Sequence, residues 1–196
     1  MEANPGIYGH RFCNVIIMKT KYLYLSFGTA MISLLLLQSC AVKSKNVIAV
    51  KNFNSDKYLG KWYEIARFDY SFEKNMDNTT AEYALNNDGS IKVINKGFNY
   101  KKNKWSSAQG KAKFIGPKTE AKLKVSFFGP FYGAYNVVAI DKDYQHAMIY
   151  GSSTKYIWLL SRKPKMDNKT KEDFLVKAKQ DGYDTEKLIW VKHDKD

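Results

Sequence analysis

The side chains that could do chemistry are few, and their spacing excludes most of it. Two cysteines, Cys13 and Cys40, cannot build a disulfide framework. Three histidines, His10, His146 and His193, are too few and too scattered for a histidine-rich metal site, so neither a metal nor a cofactor is expected. The chain has no G-x-S-x-G, no H-E-x-x-H and no phosphate-binding glycine loop. Its formal net charge of +13 invites a nucleic-acid or membrane-surface reading. Yet only Arg11, Arg67 and Arg162 of its 32 cations are arginines. Base and phosphate readout leans on arginine forks, so no nucleic-acid partner is expected. Two groups stand out from this background. Cys40 closes an apolar run, and Glu64 lies in an alternating segment where an unpaired carboxylate would be costly to bury.

The elements around Cys40 read as an address. Residues 22–39 carry no charge, include Leu34-Leu35-Leu36-Leu37, and follow Lys19 and Lys21. A short positive region before an apolar run is the pattern of a secretory signal. Leu37-Gln38-Ser39-Cys40 resembles a bacterial lipobox, whose cysteine becomes lipid-modified and N-terminal after cleavage. An uncleaved span is the alternative, since about 18 apolar residues just cross a bilayer; the position of Cys40 favours cleavage. Met18-Lys19-Thr20-Lys21 is a more natural start than Met1. The reading is therefore a signal over 1–39, a lipidated tether over 40–52 and one domain over 53–196. Ala41 rather than Asp follows Cys40, which permits sorting to the outer membrane, with the domain facing the periplasm.

The remainder reads as short strands. With 44% hydrophobic and 15% aromatic residues the chain can fill a core. Alternation recurs between turn signals over 62–68, 80–85, 91–98, 105–115, 121–127, 133–140, 144–150 and 156–161. Asn86-Asn87-Asp88-Gly89 marks a tight hairpin. Every link is short except 69–79, and short links impose antiparallel pairing. The pattern predicts an all-β fold: an eight-stranded antiparallel up-and-down barrel, closed so that no edge is left open. The period then changes. Residues 167–180 predict a helix with Asp167 or Thr170 as N-cap, packed outside the barrel, followed by a short final strand over 187–191.

These residues resemble a known family. Gly60-Lys61-Trp62-Tyr63-Glu64 resembles the G-x-W motif of the lipocalins. Asp143-Tyr144 resembles their second motif, with Lys142 in place of the usual Thr, and Arg162 resembles the third. The segments 124–133 and 156–162 resemble the bacterial outer-membrane lipocalins, which are related to apolipoprotein D. The resemblance implies a cup that binds small apolar molecules, with fatty acids and lysophospholipids the expected class and the membrane reached through the lipid anchor. A homodimer is left open. An enzyme on the same scaffold, using Glu64 with a tyrosine, and a haem or pigment binder are the alternatives.

Within that family Gly60, Trp62, Tyr144 and Arg162 are expected to close one end, with the Arg162 guanidinium over the Trp62 indole. Parity then assigns the interior, because strand side chains alternate. With Trp62 inward, Glu64, Ala66 and Phe68 share its face and Arg67 points out. Ala108, Gly110, Ala112 and Phe114 alternate with Lys111 and Lys113, and the small residues leave room. Leu123, Val125 and Phe127 oppose lysines, and Trp158 shares the face of Arg162. The expected ligand contacts are Glu64, Ala66, Phe68, Ala112, Phe114, Leu123, Val125, Phe127, Tyr135 and Trp158. Glu64 should be bonded to an inward tyrosine or anchor a ligand head group, and Tyr135 suits either role. The link over 69–79, carrying Tyr70, Phe72 and Met76, should either gate the mouth or pack down on it.

Overall fold

The computed structural model describes residues 47–195. The expected signal, Cys40 and the first part of the tether lie outside the described residues. Eight antiparallel strands run in chain order: β1 Gly60–Arg67, β2 Met76–Leu85, β3 Ile91–Asn99, β4 Lys104–Phe114, β5 Lys122–Phe128, β6 Phe131–Ile140, β7 His146–Tyr150 and β8 Ile157–Ser161. Each pairs with the next, β8 pairs with β1, and β1 pairs with β2, so the sheet closes into a barrel. A short helix, α1 Ser55–Tyr58, precedes the barrel; a longer one, α2 Asn168–Gln180, follows it, and β9 Ile189–Trp190 adds to β1.

Local chemistry sets the strand limits. Asp141 accepts the backbone N–H groups of Asp143, Gln145 and His146, folding the turn that delays β7 until His146. Tyr144 in that turn has φ 57°. β2 starts at Met76, inside the link expected to be a loop, because Met76 and Asp77 already pair with Asn99 and Phe98. A register shift between Asp77 and Thr80 follows, with Asn78 at φ 54°.

Two cores result. The interior one gathers Trp62, Val137, Ile149 and Leu160. The second lies between the barrel's outer wall and α2, where Phe174 and Ala178 pack with Ile65, Ala66, Met148, Ile157 and Leu159. Strands β7 and β8 are therefore buried on both faces, which explains their nearly continuous apolar sequences. Asp167 caps α2 by accepting the Thr170 N–H at 2.9 Å. Part of the expected tether is already docked: Ala49 is buried, and Val50 donates to the Val137 carbonyl and accepts from Ala121.

One irregularity reorganises the site. β1 pairs Glu64 with Leu160 but Ala66 with Leu159, so an extra residue is inserted at Ile65. Such a bulge inverts the alternation beyond it. Ile65 and Ala66 both join the outer core, while Arg67 is 1% exposed and bonded to Glu64. The inward placement expected for Ala66 and Phe68, and the outward one for Arg67, are thus corrected. Phe68 packs outside near Tyr183, ring centres 6.4 Å apart.

Candidate functional site

One end of the barrel is shut by a cluster around Arg162. Its guanidinium carbon lies 3.9 Å from the centre of a Trp62 ring. Its N–H groups donate to the carbonyls of Tyr144, Lys61, Lys57 and Leu59. Trp62 Nε1 donates to the Tyr58 carbonyl at 2.8 Å, and the Tyr144 hydroxyl accepts the Asn54 N–H. Gly60 fits because it adopts φ 89° directly beneath Arg162. α1 and the residues before it are thereby fastened across the closed end.

Above this floor the barrel holds a cavity of about 740 Å³, within the ~300–1,000 Å³ range of small-molecule sites. Glu64, Ala112, Leu123, Val125, Phe127, Tyr135 and Trp158 line it; Ala66, Phe68 and Phe114 do not. Ala66 and Phe68 are diverted by the bulge. Phe114 is directed to the closed end, where its ring meets Phe53 at 6.4 Å. The space expected beside Gly110 is taken, since a Cβ there would stand 2.7 Å from the Ser126 carbonyl oxygen and 2.9 Å from the Phe127 ring. Sequence reasoning missed Tyr58, Tyr83, Glu73 and Thr79, which all line the cavity. Tyr83 was legible in principle, because it lies within the expected strand 80–85; Thr79 was not, because it falls in the register shift between Asp77 and Thr80.

The polar groups form two sets. Deep in the cup, the Tyr135 hydroxyl lies 2.6 Å from that of Tyr58 and 2.8 Å from that of Tyr83. Burial raises all three phenols well above their ordinary range. Tyr135 is therefore spent on other tyrosines and does not reach Glu64. Nearer the mouth, Arg67 Nη1 donates to Glu64 Oε1 at 2.9 Å, and Nη2 donates to the carbonyls of Glu73 and Met76. Arg67 Nε stands 3.7 Å from Glu73 Oε2, which also accepts from Trp158 Nε1 at 3.2 Å. Two buried carboxylates thus share one guanidinium. Burial first, and then the charge of Glu73, hold Glu64 well above the usual carboxylate range; burial also raises Glu73. The pair retains a proton to higher pH than a free carboxylate.

The long link is packed down. Tyr70 is buried, and its hydroxyl donates to the Ile157 carbonyl and accepts the Ile157 N–H. Its ring lies 5.1 Å from Phe72 and 5.0 Å from Trp158. Phe72, Phe128 and Phe131 line the open end and remain exposed. Of the two histidines among the described residues neither lines the cavity: His146 bonds Asp141, and His193 bonds the Glu64 carbonyl.

A closed antiparallel cup with an external helix, a sealed floor and an apolar interior defines a class of small-ligand binding barrels. Residues 53–193 match the family of lipocalin-like domains, and the chain belongs to the lipocalin family. It is 51% identical to the outer membrane lipoprotein Blc of Citrobacter freundii, over 76% of this chain and 84% of that protein. It is 45% identical to the outer membrane lipoprotein Blc of Vibrio cholerae, over 80% and 92% respectively. Rat apolipoprotein D is a more distant relative, 35% identical over 61% of this chain and 66% of that protein. Insecticyanin from the tobacco hornworm Manduca sexta shares the fold, with a TM-score of 0.62 at 23% identity, covering 77% of this chain and 86% of that one. The expected lipid-anchored, outer-membrane location agrees with the names of the bacterial relatives.

Proposed function

We propose that this chain binds single-chain lipids, fatty acids or lysophospholipids, inside the barrel and stores or carries them at the bacterial outer membrane. In this reading Cys40 holds the lipid anchor and the barrel faces the periplasm. The observation that carries it is the cavity itself, walled by Ala112, Leu123, Val125 and Phe127 and open at one end. An acyl tail of ~15 methylenes buried there yields up to ~12 kcal/mol gross, before the cost of immobilising it. Chain length is then limited by depth, and no dense polar constellation is required.

Binding rather than catalysis is the activity this supports, because the phenols of Tyr58, Tyr83 and Tyr135 bond one another and the carboxylates of Glu64 and Glu73 are engaged by Arg67 and Trp158. The haem alternative has no imidazole facing the cavity among the described residues. Ala112 is 3% exposed on the cavity wall. An Ala112→Trp substitution fills the cup, so fatty-acid displacement of a fluorescent probe should weaken by about tenfold or more while the circular dichroism spectrum is retained. Mass spectrometry of lipid extracted from the purified protein should find single-chain lipid. A protein that copurifies with none and ignores added fatty acids and lysophospholipids would overturn the reading.

A further inference from the structure

The polar wall of the cavity carries an imbalance of charge. Glu64 is 6% exposed and Glu73 8%, and both line the cavity. Arg67, their one counter-ion, does not line it. Its Nη groups are committed to Glu64 and to two backbone carbonyls, and its Nε is turned toward Glu73. The cavity lining therefore presents two carboxylates, while the guanidinium, whose Nε has no hydrogen-bond partner among the described residues, stays off that lining. A second feature points the same way. Thr79, 4% exposed and on the cavity wall, places its hydroxyl beside Glu64. It offers an acceptor oxygen on the same side.

Aromatic faces complete the arrangement. Trp158 and Tyr156 line the cavity with nearly parallel rings, 20° apart in plane. Trp158 donates directly to Glu73. Carboxylates flanked by indole and phenol faces attract an ammonium group and disfavour an anion. Lys96 is the opposing group on the lining; its ammonium lies over the Trp105 ring at 4.4 Å, on an exposed side chain.

We propose that the Glu64–Glu73 wall, with Thr79 and Trp158, is a head-group subsite for an amphiphile bearing a cationic nitrogen, an ammonium or quaternary ammonium, in preference to a bare carboxylate. This rests on the reading of the cavity as a site for single-chain lipids and adds the chemistry of the head. It runs against the long-range field of a chain with net charge +13, which attracts anions, so a preference for cations has to come from the local wall. At a pH that leaves a proton on the buried pair, a bound ammonium supplies the cluster's second positive charge in its place, and that proton leaves to solvent.

The test uses the full chain with Cys40→Ser, to keep it free of attached lipid, and N-phenyl-1-naphthylamine as the displaced probe. Dodecyltrimethylammonium, dodecanol and dodecanoate, all below their micellar concentrations, share one tail and differ in the head. The ammonium compound should bind about tenfold more tightly than dodecanol, with proton release visible as buffer-dependent heat, and dodecanoate most weakly. In Glu73→Gln the acids and the guanidinium balance, so the ammonium preference and the proton release should both disappear. An unchanged circular dichroism spectrum reports a folded barrel in that variant. Should it fail to fold, the ranking and the proton release of the parent chain decide. Dodecanoate binding as well as the ammonium compound, or no proton release, overturns the head-group inference alone. Failure of all three compounds to displace the probe overturns the lipid-site reading beneath it.

Discussion

Arg67 illustrates how one side chain fixes the character of the cavity wall. Fully buried, it lies between two carboxylates that it cannot both neutralise. Folding therefore raises the pKa of the pair, and the folded state holds more protons than the unfolded chain above the ordinary Glu value. Stability carried by this proton is present at low pH and is lost from about pH 4.3 upward, through the raised folded value. Glu73→Gln should remove this contribution, so the variant gains on the parent as pH rises, measured as the difference between their urea midpoints at acid and neutral pH. Arg162 shows the opposite case, a cation whose donors all meet carbonyls or an indole face. Arg162→Met keeps much of the volume but strips donors from several carbonyls at once, and should cost about 3 kcal/mol in urea denaturation.

Among the elements, the link from Phe68 to Asn75 and the strand β1 do most to shape the opening. Tyr70 clamps the link by taking both the N–H and the carbonyl of Ile157, the first residue of β8. That contact packs the link down instead of leaving it a loose gate. Tyr70→Phe removes both bonds and leaves the Ile157 groups buried, so it should cost about 1–3 kcal/mol. Limited proteolysis should then cut first between Phe68 and Asn75, and a cleavage pattern like that of the parent would count against the clamp. The bulge in β1 works at the same scale: one inserted residue sends Ala66 to the helix and turns Arg67 against Glu64 and Glu73.

For the molecule as a whole, the C-terminal segment finishes the barrel. β1 pairs with β2 only from Gly60 to Tyr63, and past that point the two strands part. β9 pairs with the end of β1, His193 bonds the Glu64 carbonyl, and Asn78 bonds Lys192, Asp194 and Lys195. Residues 188–195 thus caulk the seam from outside. Ending the chain after Lys187 strands the buried Asn78 and exposes the outer core at Leu188. A loss of about 3–5 kcal/mol is expected, with faster hydrogen exchange at Glu64–Arg67 than elsewhere in the barrel. Uniform exchange across the barrel would show that the tail is dispensable.

By itself the sequence determined the closed eight-stranded barrel, the outer helix and most of the strand limits, because these follow from alternation, turn residues and a change of period, all local properties. It also reached the cavity wall at Leu123 and Val125, which alternate with lysines. It could not place Ala66, Phe68 and Arg67, since nothing in Glu64-Ile65-Ala66-Arg67 marks a bulge. The extra residue is imposed by register against β8 and by the outer core that receives Ile65 and Ala66. Nor could it pair Glu64 with Arg67 and Glu73, or join the three phenols across 77 and 52 residues of chain. Those contacts depend on which side chains the closed barrel brings to one depth, and only the tertiary structure decides that.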